Sequence, residues 1–378
     1  MPRRAKRIVI KVGSSTLTDS SGCLDRTYLA SLTNQIADLR SKGCEVVLVT
    51  SGSIRAGMER LGLKVRPRTI PEQQAAAAIG QGLLMQMYAD FFASRGITVG
   101  QVLLTREDFG HRKRYLNARN TMLTLLRHKA VPIVNENDTV AVDEIRVGDN
   151  DNLAALVASS LQAGWLIILS DVPGLCDADP EKCESAAVIP VVGKITASIR
   201  ELAGGTRGLS GTGGMRTKIE AAEVAVNSGV TMVIADGRRV GVLPDIIAGK
   251  EIGTKFLPVA ERLGSRKRWI AFGAAPRGNV IVNDGAKEKI RDGGKSLLAA
   301  GITGVSGSFS SGDLVRVLDE RGNQFARGLV NYSASEIEQI KGQQSSQIEH
   351  ILGYKDFDEV IHRDNLVLGR WPKRVASG

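Results

Sequence analysis

"MPRRAKRIVIKVGSS", residues 1–15, decides how the rest of the chain is read. Basic residues followed by an apolar run superficially match a signal peptide. The apolar run, however, is only about five residues, Lys11 interrupts it, and no small-residue cleavage site follows. Arg7–Val12 therefore reads as a β-strand that ends in a small Gly-Ser turn. A strand that opens the chain and feeds a glycine turn is how parallel α/β sheets begin.

Further along, up to about residue 257, the same texture repeats. "EVVLVT" (45–50), "VGQVLLT" (99–105), "VPIVN" (131–135), "WLIILS" (165–170) and "VTMVIA" (230–235) are rich in β-branched residues and read as largely buried strands. Helical patterns over 25–42, 72–94, 116–129, 151–163 and 214–228 separate them. Strands alternating with helices predict a mostly parallel central sheet covered on both faces, a three-layer αβα sandwich. A polar, basic stretch with Pro and Gly near 258–268 marks a boundary. Beyond it come short alternating strands with glycine turns, a small, mainly-β domain. The expected division is 1–260 α/β domain, 261–275 linker, 276–362 small domain and 363–378 tail.

The bulk properties agree. With 378 residues, 43% of them hydrophobic, the chain supports two cores, because single cores stop growing near ~250–300 residues. No apolar stretch approaches the ~20 residues of a membrane span, so the expected location is the cytoplasm. Four cysteines without a CxxC fit reduced thiols, and four histidines give no Cys/His zinc framework. The net charge of +10 favours anionic partners, with nucleic acid, nucleotides and acidic metabolites all eligible.

Open α/β sheets bind ligands beyond the carboxyl ends of their strands. The loops there are "KVGSS" (11–15), "TSGS" (50–53), "NEND" (135–138) and "SDVPGL" (170–175). Gly-Ser turns leave backbone N–H groups free to face an anion. "GTGGMRTK" (211–218) places three glycines before a helix with Lys218 in its first turns, which suits a polyphosphate. It is not a P-loop, since Thr217 stands where GxxxxGK requires glycine. His362-Arg363-Asp364 and Asp108-Phe109-Gly110 mimic protein-kinase motifs in the wrong order and spacing, and are coincidence. "VGDNDNLAALVA" (147–158) crowds Asp149, Asn150, Asp151 and Asn152 before a helical run. One of them caps the helix. With Glu136, Asp138 and Asp143 nearby, the rest read either as a solvated turn or as a pocket for an ammonium-bearing ligand, one acid also orienting lysines.

Taken together, "IVIKVGSSTL", "VTSGSIRAG", "VNENDTVAV", "GDNDNLAALVA", "SDVPGLCDADP" and "GTGGMRTKIEAA" resemble the glutamate 5-kinases of the amino acid kinase family. The stretches "RKRWIAFGAAPRGNVIVNDGA", "GSFSSGDLVRV", "ARGLVNYSASEI" and "EVIHRDNLVL" resemble a PUA domain. The resemblance implies ATP-dependent phosphorylation of the L-glutamate side-chain carboxylate, with Mg2+ accompanying ATP. It implies that Lys11 and Lys218 contact the transferred phosphoryl group, that Asp151 aligns them, and that Gly13 and Gly52 help hold the phosphates. Ser51, Asp138 and Asn150 are the implied glutamate ligands. Ser170, Asp171, Thr212, Gly213, Gly214, Met215, Arg216, Thr217 and Lys218 are implied to line the nucleotide site. No protein metal ligand is expected. A homo-oligomer, dimer or tetramer, and feedback inhibition by proline follow from the same resemblance. An RNA-binding or regulatory protein acting through the PUA domain is the second reading, supported by "RKR" (266–268) and "RWPKR" (370–374). Aromatics at 4% and the lack of an RNP-type aromatic stripe weigh against it.

Overall fold

A computed structural model describes residues 6–141, 150–180, 183, 185–204, 214–259, 267, 269–273 and 275–369. The chain divides into two compact units, Met1–Asp108 with Arg112–Arg262, and Phe109–His111 with Leu263–Gly378.

In the first unit, strands β1 (Arg7–Val12), β2 (Glu45–Val49), β3 (Val99–Leu104), β4 (Val131–Glu136), β5 (Trp165–Ser170), β6 (Val191–Val192), β7 (Thr231–Asp236) and β8 (Thr254–Phe256) form one sheet. Its order is β3-β4-β2-β1-β5-β7-β8-β6. Every pairing is parallel except β7 with β8. The helices up to Ala248 are α1 (Ser14–Leu17), α2 (Arg26–Ser41), α3 (Ser53–Leu61), α4 (Ile70–Ala93), α5 (Arg106–Gly110), α6 (Arg112–Arg127), α7 (Asn150–Ser160), α8 (Ala197–Gly204), α9 (Met215–Asn227) and α10 (Val242–Ala248).

Period-two alternation sorts the strand residues between two helical layers. Ile8, Ile10 and Val12 share one core with Leu29, Leu32 and Ile36 of α2, Leu84, Tyr88 and Phe92 of α4, and Val242, Leu243 and Ile246 of α10. Val9 and Lys11 point to the other face, where α7 packs on β1 and β5, α9 on β7, and α6 on β3 and β4. The central strands are therefore buried on both sides, as their sequences predict. β3 departs from that expectation. As a sheet edge it leaves Gln101 and Leu103 exposed, since only one flank of it is paired.

Local chemistry sets the helix limits. α4 starts two residues earlier than its periodicity suggests. Pro71 takes a first-turn position, and the Glu72 carboxylate accepts from the Thr69 hydroxyl at 2.7 Å and the Thr69 N–H at 3.4 Å. α7 is dominated by small residues (Ala154, Ala155, Ala158, Ser159, Ser160), buried on nearly every side, so it lies close against α9.

The second unit has a five-stranded sheet in the order β10-β9-β11-β12-β13, from β9 (Gly278–Val282), β10 (Ile302–Gly307), β11 (Leu314–Asp319), β12 (Gln324–Leu329) and β13 (Leu366–Leu368). β9 with β11 is its parallel pair; the others are antiparallel. Helices α11 (Asp284–Arg291), α12 (Ala334–Ile340) and α13 (Ile348–Leu352) complete it. Its core gathers Val280, Val282, Val315, Val317, Ile337 and Ile361. Lys287 pairs with the nearly buried Asp319 at 2.8 Å, beneath a turn whose Arg321 and Asn323 N–H groups donate to the same carboxylate. Burial pushes that carboxyl up, but Lys287 and Asn323 outweigh it and hold the pKa at about 2. Two expected boundaries shift. Leu366–Leu368, placed in the tail, pairs with Ala326–Gly328 as the outermost strand. Trp269–Gly273, placed in the linker, is a helical turn with Trp269, Ile270 and Ala271 buried. Apolar side chains so short of a domain's first strand bury rather than stay solvated.

Candidate active site

The carboxyl ends of β1, β2, β4 and β5 meet the N-termini of α3, α7 and α9. Lys11 occupies the next-to-last position of β1, in register with Val49 and Ile168, on the face that carries α7. Asp151, in the first turn of α7, is fully buried. Its Oδ1 lies 2.6 Å from Lys11 Nζ and its Oδ2 lies 3.6 Å from Lys218 Nζ. The Thr217 hydroxyl donates to the same Oδ2 at 2.8 Å. One carboxylate thus holds two ammoniums that are 207 residues apart in the chain, both almost wholly buried.

The electrostatics follow from that arrangement. Burial alone pushes the Asp151 carboxyl up, but the Lys11 and Lys218 ammoniums and the Thr217 hydroxyl outweigh it, and the group sits below the ordinary carboxylate value. Burial pushes the Lys218 ammonium below the usual lysine range. Asp151 opposes that shift and the Lys11 charge adds to it. Two cations therefore converge with one compensating anion between them. Such a pair retains a net positive field and is suited to an anion with more than one charge.

Around this centre stand backbone donors. A Cβ on Gly13 would lie 3.5 Å from Lys11 Nζ, an ordinary contact distance, so this glycine directly borders the amine. Gly52 precedes α3 with φ +98, a left-handed conformation that glycine adopts without strain. Gly214 precedes α9, with Met215 half-buried and Arg216 exposed and paired with Glu220 at 3.2 Å. Ser170 is buried at the end of β5, and its hydroxyl donates to the exposed Asp171 carboxylate at 3.0 Å.

A second cluster adjoins the first. Asn150 Nδ2 donates to the Thr50 carbonyl and to Ser51 Oγ, both at 2.8 Å, and to Asn135 Oδ1 at 3.0 Å. Asp138 accepts from the Ser53 hydroxyl at 2.8 Å. Burial raises the Asp138 carboxyl above its ordinary value, while the Ser53 hydroxyl and the Arg66 charge work in the opposite direction.

The structure thus brings together Lys11, Asp151, Thr217 and Lys218, and joins Ser51 to Asn150 and Ser53 to Asp138. Of the crowded tetrad, Asn150 and Asp151 lie inside α7 with buried side chains, so neither is a solvated turn residue. Asp149, the position before the helix, lies outside the described residues, as do Asp143, Thr212 and Gly213. Thr217, expected in the nucleotide lining, donates its hydroxyl to Asp151. Sequence reading gave no role to Thr50, Asn135 or Gln81. Asn135 carried a signal, the amide-rich "NEND" block. Gln81 carried none, because it is one of four glutamines in α4 and no pattern sets it apart.

Among the described residues no three His, Cys, Asp or Glu side chains lie together as a cation site, and Asp151 is already occupied by lysines. No helix among them is long and apolar enough to cross a membrane.

Comparison with known proteins matches two stretches of the chain to two families. Residues 6–236 match the model of the amino acid kinase family, and residues 278–352 match that of the PUA domain. A protein named glutamate 5-kinase from Caldanaerobacter subterraneus subsp. tengcongensis is 53% identical over 362 residues, covering 96% of this chain and 97% of its own. Proteins of the same name from Syntrophotalea carbinolica and Moorella thermoacetica are 52% and 51% identical, each over 97% of this chain and over 98% and 97% of their own. Among solved structures, UMP kinase from Bacillus anthracis aligns with 16% identity and a TM-score of 0.46, over 68% of this chain and 98% of its own. Carbamate kinase from Giardia lamblia bound to AMP-PNP aligns with 17% identity and a TM-score of 0.48, over 68% and 99%.

Proposed function

This chain belongs to the amino acid kinase family, among its glutamate 5-kinases, and we propose that it transfers the γ-phosphoryl group of ATP to the side-chain carboxylate of L-glutamate. The product is glutamyl 5-phosphate, the first intermediate of proline synthesis. The observation that carries the site assignment is the single buried carboxylate of Asp151 between Lys11 and Lys218.

A carboxylic acid with a reference pKa near ~4.3 is already a carboxylate at neutral pH. It needs no general base, and no histidine stands in the described site. A carboxylate oxygen of glutamate bonds to the γ-phosphorus as the bond to the β–γ bridging oxygen breaks, and ADP leaves with that electron pair. No proton moves. The obstacle is repulsion between anions, and the remedy is positioning with charge stabilisation. Lys11 and Lys218 neutralise charge on the transferring oxygens, and Asp151 holds both amines on one spot. The Gly13 and Gly52 backbones hold phosphate oxygens. Ser170, Asp171 and the 212–218 segment line the nucleotide site.

Glutamate is held by Ser51, Asp138 and Asn150, with Asp138 facing the α-ammonium. Mg2+ would enter as part of the ATP complex and supply charge neutralisation on its phosphates. The catalytic part is taken as 1–260 and the PUA part as 276–368, extended past 362 to include the last strand. A cytoplasmic location, a homo-oligomer and proline inhibition complete the reading.

Incubation with ATP, Mg2+, hydroxylamine and either glutamate, N-acetylglutamate or aspartate traps any acyl phosphate as a hydroxamate. Glutamate alone is expected to give product. A product from N-acetylglutamate or aspartate, with none from glutamate, overturns the substrate assignment.

A further inference from the structure

Behind the cluster at Asn150 runs a chain of buried amides that nothing in the proposed reaction uses. Asn135 Oδ1 accepts from Asn150 Nδ2 at 3.0 Å and from the Glu136 N–H at 2.9 Å. Asn135 Nδ2 donates to Gln81 Oε1 at 2.8 Å. Asn135 is 1% exposed and Gln81 8%, so water does not substitute for these contacts. Gln81 belongs to α4, and seven residues on, Tyr88 of the same helix shares a 2.7 Å hydrogen bond with the Thr50 hydroxyl. Thr50 is the residue whose carbonyl accepts from Asn150. The two α4 side chains thus brace both supports of the Asn150 amide.

This chain has a direction. An amide offers two hydrogens on nitrogen and lone pairs on oxygen, and each end must meet its complement. Three acceptors, the Thr50 carbonyl, Ser51 Oγ and Asn135 Oδ1, surround Asn150 Nδ2. Turning Asn150 over would set its oxygen against two carbonyl-type oxygens. Asn135 is fixed in turn, because its nitrogen needs the acceptor at Gln81. The consequence appears at the other end: Asn150 Oδ1 is buried with no hydrogen-bond partner, an acceptor awaiting a donor. Gln81 Nε2 is likewise buried without a partner, which is the cost of presenting its oxygen to Asn135.

We propose that Gln81 is a positioning residue for substrate recognition: through Asn135 it fixes the Asn150 amide with Oδ1 presented to the α-ammonium of glutamate. The inference rests on the glutamate-kinase reading and deepens it. It gives Asn150 one charge sign to recognise, although an amide by itself suits either. An ammonium satisfies the lone acceptor; an N-acylated α-nitrogen brings bulk and a single N–H.

The test uses the full chain and measures KM for glutamate and for ATP together. Gln81→Met removes the acceptor while nearly keeping volume, and Gln81→Glu keeps an acceptor oxygen toward Asn135. Gln81→Met is expected to raise the glutamate KM at least about tenfold, the scale of one hydrogen bond to a charged group. The ATP KM stays within about twofold. Gln81→Glu is expected to remain within about threefold of the parent for both substrates. A glutamate KM unchanged in Gln81→Met, or an ATP KM rising in step with it, overturns the relay, as that pattern marks a merely structural residue. Should Gln81→Met fail to fold, a raised glutamate KM in folded Gln81→Glu overturns it as well. If the parent enzyme gives no glutamyl hydroxamate, the substrate reading falls and the relay with it. If it does and the variants behave alike, the relay alone falls.

Discussion

Replacing Asp151 by asparagine removes the one negative charge between two buried ammoniums while keeping size and shape. At 2.6 and 3.6 Å the lost attractions to Lys11 and Lys218 are about 6 and about 5 kcal/mol at an effective dielectric near 20. Desolvation of the three groups offsets much of this in the native protein. Breaking a buried ion pair by removing one partner nevertheless costs about 3–5 kcal/mol, because the remaining charge stays buried without compensation. For a unit of this size each kcal/mol shifts the melting midpoint by roughly 2–4 °C, so Asp151→Asn is expected to melt on the order of 10 °C below the parent. The sign of the ligand effect is the sharper test. A bound triphosphate supplies the missing negative charge, so saturating MgATP stabilises the variant more than the parent and narrows the gap. Turnover still falls by at least about tenfold, since neither amine is held in place. Differential scanning calorimetry with and without MgATP, alongside the hydroxamate assay, measures all three quantities. A midpoint within about 1 °C of the parent, or a gap that MgATP leaves unchanged, refutes the idea that this carboxylate holds the lysines.

Lys11→Ala or Lys218→Ala is expected to lower turnover at least about a hundredfold, as for loss of one transition-state donor, with the far-UV circular dichroism spectrum unchanged; near-normal rates in either variant exclude that lysine from the chemistry. Asp138→Ala is expected to raise the glutamate KM far more than the ATP KM in steady-state assays. Because burial raises the Asp138 carboxyl, its ionised form, the one that binds an ammonium, is lost as pH falls through a value above the ordinary 3.8. In Asp138→Ala the acid limb of kcat/KM for glutamate should accordingly lose this contribution and keep only that of the substrate's own carboxyl. Gly80→Ala would set a Cβ 1.8 Å from the Ser53 carbonyl oxygen and 2.3 Å from the Gly57 nitrogen, forcing α3 and α4 apart. Thermal unfolding is expected to show a loss of about 1–3 kcal/mol, with a raised glutamate KM as the Ser53–Asp138 contact shifts.

How much of this was legible in the sequence varies by element. Strands β1, β2, β4, β5 and β7 were legible because β-branched runs bounded by glycine turns reflect local preference. The short strands Val191–Val192 and Thr254–Phe256 were not, having too few residues to carry a period. Two readings of "DNDN" stayed open until α7 was seen to start at Asn150, which turns Asn150 and Asp151 inward.

By itself the sequence determined that an α/β sheet begins at Arg7, that ligand loops lie at its strand ends, and that Lys11 shares a face with Val9. It also carried the blocks that mark the family. Only the tertiary structure decided which helix covers that face, and hence that Lys11 and Lys218 share the Asp151 carboxylate. It alone chose Gln81, out of a long apolar helix, to stand behind Asn135. The reason is physical: propensity and period are written by neighbours within a few residues. The site is made of contacts spanning from 15 residues, Asn135 to Asn150, to 140, Lys11 to Asp151, which exist only once the chain has closed on itself.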